Sequence, residues 1–318
     1  MSEPVITING ESIGTNGNLV TISGAIKSGK SALTSIIIAG AISEDGNLID
    51  GLESLMVSPN NDGKAVVHID TEQAKQKQQA NGRAIVQRAG YVTEPKYFLS
   101  YNIRELDLCK YHETTTQICN AAAELYGGLK MIIIDGIADY IKSVNNEEES
   151  NSIVSYFLKL ATDLGTVILI VVHTNPGSEK ERGHLGSQLL RKSESILGVK
   201  CTNGISHLEA KYLRNADVAD IPNLQFAFDK EKGYHVGCGF KKKSKEDKEE
   251  ERLTLLKSIT EKVFPPGVGY RDKAAREKIQ ELTGRGIKTV KDYLKEMREF
   301  GLITKGDDSL WHQSHQSA

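Results

Sequence analysis

The sequence predicts an α/β fold in which a mainly parallel sheet is flanked by helices and followed by a small C-terminal winged-helix domain. Three observations predict it. Apolar, β-rich runs alternate with helix-length intervals through the first 200 residues, as expected when crossover helices cover both faces of a parallel sheet. A glycine-bounded loop, "GAIKSGKS", joins one such run to an apolar helical stretch. The composition then changes abruptly at "KKKSKEDKEEE", residues 241–251, which contains no apolar residue.

The strand runs come in order as "LVTIS", "AVVHID", "YFLSY", "MIIID" and "TVILIVV", spanning 19–23, 65–70, 97–101, 131–135 and 166–172. Three later runs, "SHLEAKYL", "LQFAFD" and "YHVGCGF", are short and separated by turn residues, so they read as antiparallel strands added at the edge of the same sheet. Residues 43–64 are polar and rich in Gly and Asn, and read as an irregular excursion. After the last apolar strand, "PGSEKERGHLGSQLLRKSESIL" opens as a polar loop and becomes helical near Ser187. The chain therefore divides into a domain over 1–240, a charged linker over 241–251 and a second domain over 252–318.

Composition narrows the function classes. A net charge of -2 with 26% charged residues gives no global basicity, so any nucleic-acid contact must rest on local patches. The four cysteines lack C-x-x-C spacing and read as reduced core residues of a cytoplasmic protein. "MSEPVITING" has no basic-then-apolar signal and no run is long enough to span a bilayer, so neither export nor a membrane anchor is expected.

The loop from Gly24 to Ser31 fits G-x-x-x-x-G-K-[ST]. In such a loop the backbone N–H groups of Gly24, Ala25, Ile26, Lys27, Ser28, Gly29, Lys30, Ser31 and Ala32 curl toward phosphate oxygens, and the helix N-terminus adds its positive end. Lys30 reaches the β- and γ-phosphates of ATP, and Ser31 ligates Mg²⁺. Asp135 closes a fully apolar strand, where a carboxylate holds the water shell of that Mg²⁺. Asp70 and Glu72 stand two apart at another strand end. Both are expected to face the crevice, with Glu72 as the base that activates water and Asp70 supporting it. His173 ends the most apolar strand and reads as a γ-phosphate sensor. Lys180 and Arg182, in the loop beyond, are candidates to touch a polyanion or a neighbour's nucleotide. Lys211 and Arg214 sit on or just past a late strand, where an arginine can complete a neighbouring subunit's site.

Residues 252–318 read as two short helices, a glycine turn, a longer helix and a β-like "LITK", resembling a winged helix-turn-helix. Val290, Leu294 and Met297 share one helical face. From Gly284 to Lys305, six basic residues face three acidic ones, and Lys288, Lys291 and Lys295 are the candidate DNA contacts. A helical domain that docks on a protein partner is the alternative.

Taken together, "GAIKSGKS", "HIDTEQAK", "MIIIDGIADYI", "VVHTN" followed by "RGHLGSQLL", and "EAKYLRN" occur in the order seen in RecA-like ATPases. The set resembles the RepA-type hexameric ATPases and helicases of plasmids and mobilisable elements, particularly those of Bacteroides-like bacteria, over roughly residues 5 to 240. The resemblance implies an ATPase that assembles as a homo-oligomer, a hexamer, and acts on single-stranded DNA through its core and duplex DNA through its tail. It implies that Lys30 and Ser31 hold phosphate and Mg²⁺, with Glu72 the catalytic carboxylate, Asp135 the second metal-side acid, His173 the sensor and Arg214 an inter-subunit finger. One departure stands out. Ring helicases of the DnaB type carry their basic pair two residues apart, whereas Lys211 and Arg214 are three apart.

The expected function is a DNA-associated motor or switch in replication, excision or mobilisation of an element. An ATP-dependent DNA-binding regulator or loader is the alternative. A small-molecule kinase would not predict the tail, and a GTPase would carry N-K-x-D, which does not occur.

Overall fold

The computed structural model describes residues 3–46, 52, 54–175, 183–240 and 245–314. Two compact units result, Met1–Lys241 and Lys242–Ala318. In the first, β1 (Pro4–Ile8), β2 (Glu11–Thr15) and β3 (Leu19–Gly24) lead into α1 (Lys30–Ile42), and β4 (Leu55–Val57) precedes β5 (Ala65–Asp70). Then follow α2 (Lys75–Arg88), β6 (Phe98–Asn102), α3 (Tyr111–Leu125), β7 (Leu129–Asp135), α4 (Glu147–Asp163) and β8 (Val167–His173). Helix α5 (Gly183–Lys192) and strands β9 (Ser195–Thr202), β10 (Ile205–Leu213), β11 (Leu224–Asp229) and β12 (Tyr234–Phe240) complete it.

The main sheet has nine strands in the order β12-β11-β10-β9-β3-β8-β7-β5-β6. The six from β9 to β6 run parallel, and β10, β11 and β12 extend the sheet antiparallel. This is the mixed, mainly parallel sheet expected. Side chains alternate between its faces, so Val20, Ile22, Val66 and Ile133 pack under α1 and α2, while Leu19, Val67, Ile132 and Ile134 pack against α3, α4 and α5. With both faces covered, the central strands are mostly apolar, and the carboxylates Asp70 and Asp135 stand at the carboxyl ends of theirs, where the cover stops.

Several features differ from the sequence expectation. Helix α5 begins at Gly183, earlier than Ser187, and "SIL", read as its continuation, opens β9 instead. Ser195 pairs with Val20 and Leu213, so the partner strands on both sides impose the extended form. A separate three-stranded sheet, β2-β1-β4, was not anticipated, and its β4 lies within the stretch read as irregular. The cysteines also divide differently: Cys119 is buried, whereas Cys109, Cys201 and Cys238 are exposed. No described helix is long and apolar enough to cross a membrane.

The second unit holds α6 (Lys245–Val263), α7 (Asp272–Thr283) and α8 (Ile287–Glu299), then a hairpin of β13 (Ile303–Lys305) and β14 (Trp311–Gln313). Tyr270 makes one further antiparallel bridge, to Trp311. Leu256, Ile259, Phe264, Ile279, Leu294 and Met297 form its core. Helix α6 occupies 245–251, part of the charged stretch read as linker.

Candidate active site

Strand β3 ends at Gly24 and α1 begins at Lys30, so the five residues between them form the phosphate loop at the carboxyl edge of the sheet. Ala25, Ile26, Lys27 and Ser31 are exposed, while Ser28 and Lys30 are buried. Lys27 (φ 63°) and Gly29 (φ 103°) both adopt left-handed backbone, the alternation that turns successive N–H groups inward. A Cβ at Gly29 would strike the Ser206 side chain, so steric room and backbone sign both demand glycine there.

Lys30 folds back over its own loop. Its Nζ donates to Gly24 O at 2.9 Å and Ala25 O at 2.8 Å, and lies 3.1 Å from His173 Nδ1. Burial pushes the lysine's pKa down, while the nearby Glu72 and Asp135 carboxylates oppose that shift. The ammonium is thus held ready beside the loop, stripped of most of its water.

Glu72 is not a strand residue. Strand β5 ends at Asp70, whose Oδ1 accepts from Glu72 N at 2.9 Å and Gln73 N at 2.8 Å. Asp70 therefore builds the turn that presents Glu72, and the expectation that the two carboxylates share one strand face is corrected. The helix starts only at Lys75, so Glu72 also lies outside its first turn. Glu72 Oε2 sits 3.3 Å from His173 Nε2. That hydrogen bond is the main cause holding the Glu72 carboxyl below its ordinary pKa, with Lys30 adding to it.

Asp135 ends β7 in direct register with Asp70. It is buried, and its carboxyl is pushed up to about 7, first by desolvation and then by the charges of Asp70 and Glu72. Gln73 Nε2 approaches its Oδ2 at 3.5 Å. Several contributors escaped the sequence reading. Thr71 Oγ1 donates among Asp135 O (3.1 Å), Gly136 O (3.1 Å) and Asp139 Oδ2 (2.9 Å), tying the turn after β5 to the turn after β7. Gly136, at φ 108°, admits this approach, because a Cβ there would strike Thr71 Oγ1 and crowd Glu72 Cγ. Nothing in the spacing of Thr71 and Asp139 distinguishes them from ordinary turn residues.

The structure thus brings Lys30, His173, Glu72 and Asp135 to one edge. Arg214 is elsewhere. Gly24 pairs with Val199, but Leu213 pairs with Ser195, at the opposite end of β9, about 13 Å along the strand at roughly 3.3 Å per residue. Arg214 Nη2 donates to Ser193 O at 3.2 Å and Lys192 O at 3.4 Å, capping the end of α5. Lys211 behaves differently. A β-bulge between Ala210 and Tyr212 carries it as the extra residue. Its side chain lies across Gly198 and lines, with Gly24–Ser28, Thr174 and Lys200, a cleft of about 450 Å³. Lys180 and Arg182 lie outside the described residues. In the second unit Lys288, Lys291 and Lys295 are exposed on α8 while Val290, Tyr293, Leu294 and Met297 are buried, and Lys295 lies 3.7 Å from Glu299.

A mixed sheet with a phosphate loop after its central strand, and acids at the tips of two other parallel strands on the same edge, defines a P-loop ATPase domain. The chain belongs to the AAA domain family, whose model matches residues 13–179, just over half of its length. No curated protein matches it.

Proposed function

We propose that the protein is an ATP-hydrolysing, DNA-associated motor or switch of the RepA type, working as a homo-oligomer, a hexamer, in replication, excision or mobilisation of a mobile element. The observation that carries this reading is the separation of the machinery. The loop, base and sensor meet at one edge of the sheet, while Arg214 is at the other, beyond reach of its own chain's loop.

In this reading, ATP phosphates replace the loop carbonyls and His173 as partners of the Lys30 ammonium. The donor set suits Mg²⁺, a hard ion that prefers oxygen ligands: Ser31 is exposed at the start of α1, and the Asp135 carboxylate ends β7, one strand removed from β3 across β8. When bound, that ion neutralises developing phosphate charge. Release of His173 Nδ1 by Lys30 couples phosphate arrival to the His173–Glu72 hydrogen bond. Glu72, kept ionised, orients and deprotonates the attacking water. Arg214 of a neighbour supplies the remaining positive charge, which makes turnover depend on assembly.

The second unit, three helices and a hairpin, supports a winged-helix reading in which α8 and Lys288, Lys291 and Lys295 meet duplex phosphates. The test is the mass of the protein in solution with and without a non-hydrolysable ATP analogue and single-stranded DNA. A ring of subunits under the combined condition is expected, and a monomer under every condition removes the inter-subunit mechanism.

A further inference from the structure

We propose that His68, Asp70 and Asp135 form a binding site for a transition-series divalent cation that needs no nucleotide. His68 and Asp70 stand two residues apart on β5 and so share the face under α1 and α2, and Asp135 joins them from β7 in register with Asp70. One ligand atom from each lies within 4.8 Å of the other two. Three donors at roughly 2.0–2.2 Å from a common centre satisfy that spacing.

The unpaired atoms point to an occupant. His68 and Asp70 are 5% and 0% exposed, yet His68 Nε2 and Asp70 Oδ2 have no hydrogen-bond partner among the described residues. Their other atoms are engaged. Asp70 Oδ1 holds the turn N–H groups of Glu72 and Gln73. His68 Nδ1 lies 3.0 Å from Ser100 Oγ, on the β6 side, and Ser100 Oγ also accepts from Gln78 Nε2 at 2.8 Å. An imidazole whose Nδ1–H is committed to an outer partner offers its Nε2 lone pair inward, the arrangement that orients a metal-binding histidine. Buried polar atoms left without partners are costly, and a cation between them satisfies all three residues together.

The ligand chemistry separates this ion from the one that accompanies ATP. Mg²⁺ takes oxygen ligands, whereas one imidazole with two carboxylates suits Mn²⁺, Co²⁺ or Zn²⁺. Three protein ligands leave further positions for water. The site shares Asp135 with the proposed nucleotide site but takes no ligand from Lys30 or the phosphate loop, so metal uptake can be tested without nucleotide.

The experiment uses the full chain, free of nucleotide, with Co²⁺ as the probe, followed by equilibrium dialysis and by visible absorption. One Co²⁺ per chain is expected, with ligand-field bands. His68→Phe and Asp70→Asn should each weaken uptake at least about tenfold, and Lys30→Ala, which removes a nearby positive charge but no ligand, should not weaken it. Asp70→Asn retains the Oδ1 acceptor for the turn, so it remains diagnostic if His68→Phe does not fold. Uptake only in the presence of ATP, uptake that Asp70→Asn leaves intact, or ready displacement by Mg²⁺ at equal concentration would overturn the proposal.

Discussion

His173 Nε2 lies 3.3 Å from Glu72 Oε2 while the other nitrogen of the same ring lies 3.1 Å from Lys30 Nζ. One imidazole therefore joins the lysine of the phosphate loop to the candidate base. A lysine ammonium can only donate, so an Nδ1 that accepts from Lys30 leaves the ring's N–H on Nε2, facing the carboxylate.

Glu72→Gln should keep nucleotide binding and lose most turnover, because the amide preserves the shape and lacks basicity. Asp70→Asn is the informative companion. Since Asp70 holds the turn rather than facing the γ-phosphate, its loss should lower turnover less than Glu72→Gln does. Steady-state ATPase rates, with nucleotide affinity measured separately, decide between them; the reverse ranking assigns the base to Asp70.

Lys30→Ala should abolish hydrolysis and weaken ATP binding, because a compact charge already stripped of solvent is removed from the loop. Wild-type turnover in this variant would place the chemistry elsewhere. Binding of a fluorescent ATP analogue and phosphate release measure the two effects apart.

Most of this site was legible because its chemistry is local. The phosphate loop needs its glycines and lysine within eight residues, and Asp135 and His173 end apolar strands long enough to be unmistakable. What escaped depends on distant partners. Ser195 begins a strand because Val20 and Leu213 flank it, not because "SIL" differs from a helix end. Glu72 looked like a strand neighbour of Asp70 because period-two reasoning assumes that the strand continues, whereas Asp70 Oδ1 stops it. Thr71 and Asp139 meet across 68 residues of chain, a distance over which periodicity carries no information.

The Asp135 carboxyl, pushed up to about 7, makes a prediction about stability in metal-free buffer. Its pKa is higher folded than unfolded, so the folded state keeps the proton longer. The associated stability is present at low pH and is lost as pH rises from about 4 through about 7. The stability advantage of Asp135→Asn, uncharged throughout, over the wild type should be larger at pH 8 than at pH 4.5 by about 1 kcal/mol or more. Urea unfolding in EDTA at the two pH values measures this. A difference that does not change with pH would mean that Asp135 does not hold the proton.

For the tail, removing 242–318 should leave a folded core that binds ATP. The cut belongs after Lys241, where the two compact units divide, because α6 already begins at Lys245 and a cut at 252 would split it. Duplex DNA affinity should fall and its dependence on salt should flatten, as expected when Lys288, Lys291 and Lys295 no longer displace counterions. Unchanged duplex binding would favour docking of the tail on a protein partner.

Arg214 supplies the sharpest test of assembly. Its guanidinium binds the carbonyls of Lys192 and Ser193 in its own chain, at the end of β9 opposite the phosphate loop. Arg214→Ala should therefore leave each subunit's ATP affinity nearly intact while cutting turnover by about 10³-fold or more, the scale of a lost arginine finger. Because the residue also caps α5, thermal unfolding of the variant must be measured alongside; a large loss of stability would point to a structural role in place of a catalytic one. Mixing then separates the remaining alternatives. A Lys30→Ala subunit lacks a working loop and retains the arginine, and an Arg214→Ala subunit has the reverse defect. Mixed assemblies should regain activity at interfaces where a good loop meets a good arginine, since the two halves of such a site come from different chains. Mass measurement establishes that the subunits exchange. If demonstrably mixed assemblies stay inactive, Arg214 does not complete a neighbour's site, and the dependence of turnover on assembly has to arise from another residue or not at all.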